Sequence, residues 1–181
     1  RCHAQAVRLT SLLHDISMLN KLDESSDSFE MVDINITEVV EGVKQDVSLA
    51  LEEKNMHIEA ELPKELIIKG NTLQIYSIFR NLIDNSILHA GVGTTVFIEC
   101  YRTDSEYIYL SVADNGVGVE SKHLNKIFDR FYRVDKGRSR KLGGTGLGLS
   151  IVKNSIQFHQ GRISAKNRKG GGIEFLFTLH K

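Results

Sequence analysis

Asn81, Asn85 and His89 fall four residues apart in "NLIDNSILHA" (81–90), so on a helix they share one face. Asparagine is a modest helix former, and two at this spacing are unusual on a face that need only meet water. A carboxamide oxygen can ligand magnesium, which takes oxygen donors and keeps several waters; a solvated polar face is the plainer reading. In "ADNGVGV" (113–119) Asp114 precedes Gly116 and Gly118. A carboxylate at a strand end can accept a hydrogen bond from an exocyclic amine such as that of adenine, with the glycines letting the ring approach the backbone. Asp-Asn-Gly also forms turns unaided.

Two further stretches carry chemistry. "GGTGLGLS" (143–150) places four glycines in six residues, Gly144, Gly146 and Gly148 among them, ahead of "IVKNSIQF", whose apolar spacing is helical. Such density marks backbone that something approaches closely. A helix N-terminus behind it offers unpaired N–H groups and partial positive charge, which suit phosphate; a flexible connector is the alternative. No Gly-Lys-Ser/Thr follows, so this is not a P-loop. "IFDRFYR" (127–133) supplies Phe128, Phe131 and Tyr132 as an aromatic staple for a loop. Arg133, Lys136, Arg138, Arg140 and Lys141 behind it can reach phosphate oxygens or form a solvated surface.

These residues need elements to position them. Apolar residues make up 41% of the 181-residue chain and charged residues 25%, the balance of a globular protein with one domain and an appendage or two small domains. The net charge of +0 gives no global pull toward nucleic acid or acidic membrane. Two cysteines, Cys2 and Cys100, provide neither a disulfide framework nor metal-ligand spacing. No apolar run reaches the roughly 20 residues needed to cross a bilayer. The chain begins at Arg1, which suggests a piece of a longer protein.

Leu9, Leu12, Ile16 and Leu19, widened by Leu13, predict a helix over residues 1–22 with a coiled-coil seam. "DESSDS" (23–28) reads as a linker. Helices are expected over about 36–54, 72–89, 120–128 and 147–158. Strands are expected over 57–62, a short run ending at Gly70, 94–102, 107–114, 162–167 and 172–179. Because two strand pairs are sequential hairpins, the expected architecture is α/β: a two-layer sandwich of a mixed sheet covered by helices on one face.

Taken in order, the four motifs resemble those of the catalytic domain of two-component sensor histidine kinases. "NLIDNSILHA" is similar to their asparagine box, "DNGVG" to the first glycine box, "IFDRFYR" to the phenylalanine box and "GGTGLGLS" to the second glycine box. "RLTSLLHDISMLNKLDE" (8–24) resembles the second helix of their dimerisation and phosphoacceptor hairpin. The resemblance implies residues 1–28 as that helix and its linker, and 29–181 as the ATP-binding domain. It implies Asn85 as a magnesium ligand, Asn81 as a neighbouring phosphate or metal contact, and Asp114 with Gly116 and Gly118 as the adenine site. His89, Arg133, Arg138, Gly144, Thr145, Gly146, Leu147 and Gly148 complete the implied ATP-binding set. ATP and Mg2+ are the implied ligands. A response regulator receiver domain and a second copy of the parent protein are the implied partners, with no nucleic acid. The parent is expected to be a membrane-anchored bacterial sensor with this part in the cytoplasm.

No residue here is assigned a catalytic role, because the first hairpin helix with its phosphoacceptor histidine is not seen. His14 precedes Asp15, but no proline follows and it lies off the seam. Leu88 stands where the family usually carries lysine, and His89 where an aromatic ring is common. A degenerate nucleotide-sensing or scaffolding module is the alternative this departure supports. Gyrase-type, mismatch-repair, chaperone and anti-sigma kinase relatives of the same superfamily fit the phenylalanine box and the N-terminal helix less well.

Overall fold

Ile36, Val40, Val43, Val47 and Leu51 recur at helical spacing and form the buried stripe of helix α1 (Ile36–Glu53). Asn35 starts the helix, its side-chain oxygen accepting from Thr37 N at 3.2 Å, a cap that supplies one of the orphan amides with a partner. Helix α2 (Thr72–His89) is capped likewise by Asn71, which accepts from Gln74 N at 3.1 Å. It buries Ile75, Ile78, Phe79, Leu82, Ile83 and Ile87. Helix α3 (Gly148–Phe158) buries Ile151, Val152 and Ile156 and has no side-chain cap. The computed structural model describes residues 30–134 and 144–181. The expected helix over 1–22, His14, the 23–28 linker, Lys136, Arg138, Arg140 and Lys141 lie outside the described residues.

Seven strands accompany these helices among the described residues: β1 (Val32–Asn35), β2 (His57–Glu61), β3 (Ile67–Gly70), β4 (Thr95–Thr103), β5 (Tyr107–Asp114), β6 (Ile163–Asn167) and β7 (Ile173–His180). Five form one sheet in the order β2-β4-β5-β7-β6. β2 runs parallel to β4, and the other pairs are antiparallel, so the sheet is mixed. Side chains alternate across each strand. Register therefore stacks Ile98, Val112 and Phe175 in one row, all buried, on the face the helices cover. Phe79 of α2 meets Phe177 of β7 edge to face, with centroids 6.0 Å apart. This is the two-layer sandwich expected from the hairpins.

Three details differ from expectation. β1 has no counterpart in the sequence reading, and it pairs with β3 in a separate two-stranded sheet. A four-residue strand rich in polar residues offers too little alternation to stand out. Residues 120–128 form only a 3-10 turn at Ser121–His123 and one unextended α-turn, with Ile127 N donating to His123 O at 3.0 Å. Leu124, Ile127 and Phe128 still reach the core, so the apolar spacing was real although the helix is not. The last helix begins at Gly148, one residue later than expected.

His159 ties the end of α3 to the start of α2. Its Nε2 accepts from Asn71 N at 3.1 Å, so Nδ1 carries the proton and donates to Ser155 O at 2.7 Å. The ring is 3% exposed, and burial lowers its pKa. Protonating Nε2 would set two donors against each other. The unfolded chain takes up a proton near the ordinary histidine value of about 6.5 and the folded state resists it. Stability is therefore fully present above that pH and falls as pH drops toward the lowered folded value. Urea midpoints should decrease between pH 7.5 and 5, and His159→Gln should flatten that dependence while lowering the midpoint at pH 7.5.

Candidate functional site

The expected site residues among those described lie on α2, at the end of β5, in the loop that carries Arg133 and around the start of α3. Asp114 ends β5 and is 2% exposed. Its Oδ2 accepts from the Ser86 hydroxyl of α2 at 2.9 Å. Oδ1 accepts from Gly116 N at 3.0 Å and from Ile173 N at 3.4 Å. A carboxylate offers about four acceptor positions, so three partners fix it and leave room for one more donor. Ser86 continues the buried stripe of Ile75, Ile78, Phe79 and Leu82 on α2. A polar residue at a buried stripe position was the signal that it served something nearby.

Gly116 and Gly118 hold the turn beyond Asp114. A methyl group on Gly116 would lie 2.3 Å from Ala90 O, so this glycine lets β5 run against the end of α2. The close approach expected of a ligand is here made by the chain itself. Gly118 has φ 68° and abuts Asn167. The Asn167 side chain accepts from Val119 N at 3.0 Å and donates to Val119 O at 2.6 Å, strapping the glycine turn to β6. Arg168 lies over the Phe97 ring at 4.7 Å. Neither Asn167 nor Arg168 was foreseen, since their partners are about fifty or more residues away in the chain.

Asn81 faces the second glycine stretch. Its Nδ2 donates to Ser77 O at 2.8 Å and to Ser77 Oγ at 3.0 Å, while its Oδ1 would be 2.7 Å from a methyl group on Gly148. The asparagine helix and the start of α3 are thus in direct contact. Asn85, one turn on, is half-buried, and none of the hydrogen bonds among the described residues engages its carboxamide. His89 is exposed in the last turn of α2. Leu88 beside it is half-buried and brings no charge.

Where the glycine stretch meets α3, Thr145 Oγ1 accepts from Leu147 N at 3.2 Å, and Ile151 N donates to Leu147 O at 2.9 Å. The amides of Gly148, Leu149 and Ser150 come before that helical bond, at the positive end of the helix dipole. Gly146 has φ 75°, and its carbonyl accepts from Phe131 N at 2.8 Å. Arg133 folds back here: its Cγ would be 3.3 Å from a methyl group on Gly146 and its Nη2 4.0 Å from one on Gly144. Among the described residues that buried Nη2 has no hydrogen-bond partner, an arrangement that suits an anionic oxygen. Of the aromatic staple, Phe128 packs edge to face on Phe175 at 6.2 Å and Tyr132 meets His123. Phe131 does not take part: it is 64% exposed.

Residues 70–181 match the family described as histidine kinase-, DNA gyrase B- and HSP90-like ATPase. The chain belongs to that family. Sensor histidine kinase WalK of Bacillus subtilis is 36% identical over 176 residues, 95% of this chain and 28% of its own length. Phosphate regulon sensor protein PhoR of Haemophilus influenzae is 33% identical over 177 residues, covering 98% and 41%. The chain thus spans less than half the length of these relatives. The catalytic domain of histidine kinase ThkA, in a nucleotide-free form, aligns with TM-score 0.74 and 25% identity over 84% of this chain and 97% of its own. ThkA in complex with response regulator protein TrrA shares the fold at 21% identity, with TM-score 0.75 over 97% of this chain and 49% of its own. The family's nucleotide, ATP, suits a site holding a fixed carboxylate, a bare helix N-terminus and a guanidinium nitrogen without a partner.

Because Gly116 answers to Ala90 backbone, Gly116→Ala should destabilise the fold by about 1–3 kcal/mol, the usual cost of overpacking against atoms that cannot yield. Chemical denaturation of the variant measures it. A loss of nucleotide affinity at unchanged stability would place the glycine's role at the ligand instead.

Proposed function

We propose that this chain is the ATP-binding catalytic part of a sensor histidine kinase, with residues 1–28 as the second hairpin helix and linker and 29–181 as the catalytic domain. The observation that carries the reading is the buried Asp114 carboxylate. A helix hydroxyl and two backbone amides hold it in one orientation, with acceptor capacity left for the amine of adenine. The family match and the sensor kinases among the relatives support the same conclusion.

Each residue then has a task. Asp114 accepts the adenine amine, fixing the base. The amides at the start of α3, after Gly144, Thr145, Gly146, Leu147 and Gly148, donate to phosphate oxygens. Arg133 gives its spare Nη2 hydrogen to the same group, and Arg138 is proposed to join it. Among the described residues no cluster of three His, Cys, Asp or Glu could hold a metal. Magnesium would be held by the carboxamide oxygen of Asn85, with Asn81 as a neighbouring phosphate or metal contact and with phosphate and water completing its shell. When bound it neutralises charge on the phosphates. Asn81 braces Asn85's helix against Gly148, and His89 borders the site.

Transfer moves the γ-phosphoryl from ATP to an imidazole nitrogen on a dimerisation-hairpin helix, breaking the P–O bond to the β-phosphate so that ADP leaves, and forming a P–N bond. An aspartate of a response regulator receiver domain then receives the group. This chain contributes alignment and charge neutralisation, the larger part of catalysis in phosphoryl transfer. The parent is proposed to act as a membrane-anchored homodimer with this part in the cytoplasm; among the described residues no helix is long and apolar enough to cross a membrane.

Calorimetric titration with ATP, with and without magnesium, tests the reading. Wild type should bind, more tightly with magnesium. Asp114→Asn should weaken binding ten- to a hundredfold, the worth of one charge-assisted hydrogen bond. No binding by a folded wild-type chain would favour the scaffolding module that Leu88 suggests.

A further inference from the structure

We propose that His123 is a positioning residue for nucleotide binding, acting through the Tyr132 hydroxyl to hold Arg133 against the second glycine stretch. This rests on the ATP-site reading above. His123 Nδ1 and Tyr132 Oη share a hydrogen bond of 2.6 Å, with the rings 6.1 Å apart and tilted.

The base under His123 is firm. It closes the 3-10 turn at Ser121–His123, and its carbonyl accepts from Lys126 N at 2.8 Å and Ile127 N at 3.0 Å. The next apolar residues, Leu124, Ile127 and Phe128, pack on the core. The imidazole is thus carried by a segment that cannot shift without disturbing the sheet's covered face.

The segment it grips has few other holds. Phe131 and Val134 are 64% and 46% exposed, so neither side chain anchors it. Phe131 takes φ 63°, a conformation that costs a non-glycine residue roughly 1–3 kcal/mol and persists only where neighbours impose it. Three contacts among the described residues impose it: the bond from Phe131 N to Gly146 O at 2.8 Å, the bond from Tyr132 N to Asp129 O at 3.1 Å and the His123–Tyr132 bond. Together they bracket the backbone that leads into Arg133. A guanidinium nitrogen buried without a partner is costly to keep in place, and a long flexible side chain would turn to water if the backbone beneath it were loose. The His123–Tyr132 bond opposes that escape, so the donor is already oriented when an anionic group arrives.

Binding of the full 181-residue chain to ATP and to AMP, measured by calorimetry, tests this. His123→Ala and Tyr132→Phe should each weaken ATP about three- to tenfold, as expected for one neutral hydrogen bond, and leave AMP unchanged. His123→Asn, which can place an amide near Nδ1, should restore much of the ATP affinity. Arg133→Ala should weaken ATP tenfold or more, and adding Tyr132→Phe to it should cost nothing further. Additive losses, or equal losses for ATP and AMP, overturn the positioning role while leaving the ATP site intact. Failure of wild type to bind ATP overturns both readings.

Discussion

A buried carboxylate is the constraint on which this structure turns. Asp114 ends a central strand, and its two oxygens collect a hydroxyl from α2, an amide from its own turn and an amide from the start of β7. Taking a carboxylate out of water is costly unless donors replace the water, so those three groups must be in place together. They come from segments up to fifty-nine residues from Asp114 along the chain. The hydrogen bonds therefore align the asparagine helix, the first glycine turn and the β6–β7 hairpin in one step. Gly172 makes the same demand sterically: a methyl group there would fall 1.8 Å from Asp114 O.

From this anchor the remaining parts follow. The α2 that Ser86 ties down also presents Asn81 to Gly148, so the N-terminus of α3 is set relative to the Asp114 turn. His159, at the other end of α3, returns to the N-cap of α2 through Asn71. Both ends of α3 are thus referenced to the same neighbouring helix. A site that must span a base and its phosphates benefits from such a frame, because distances along it cannot drift independently.

Much of the fold was legible because its elements are strongly periodic. Alternation in 173–179 and the helical stripes of 36–51 and 75–87 leave little ambiguity, and the hairpins announced a mixed sheet. β1 and the turns after Glu120 were not legible, since one is too short to show a period and the other has the period without the length. The candidate site divides similarly. The residue types at 81, 85, 114 and 144–148 pointed to phosphate and adenine chemistry. Gly116 was noticed as a place for a ligand to approach, and the fold adds a second demand that the sequence did not show, its contact with Ala90. Asn167 was invisible because a contact across the fold leaves no local mark in the chain, and the His123–Tyr132 pair because nine residues of irregular loop separate its members with no period to align them. Phe131 looked like a packing aromatic and is not, since composition reveals apolarity but not which way a residue with positive φ turns.

The five-stranded sheet is open, and its outer strands are β2 and β6. An open edge is a template on which another strand can pair, and long apolar edges invite uncontrolled association. Both edges here have five residues. β2 exposes His57, Glu59 and Glu61, and β6 exposes Ser164, Lys166 and Asn167. A strand approaching β2 would set its own side chains beside carboxylates, and one approaching β6 would find a short polar border. Sheet extension between copies is thereby discouraged, which leaves association to surfaces away from the strand edges and keeps the polymerisation hazard of an unclosed β-structure low at high local concentration.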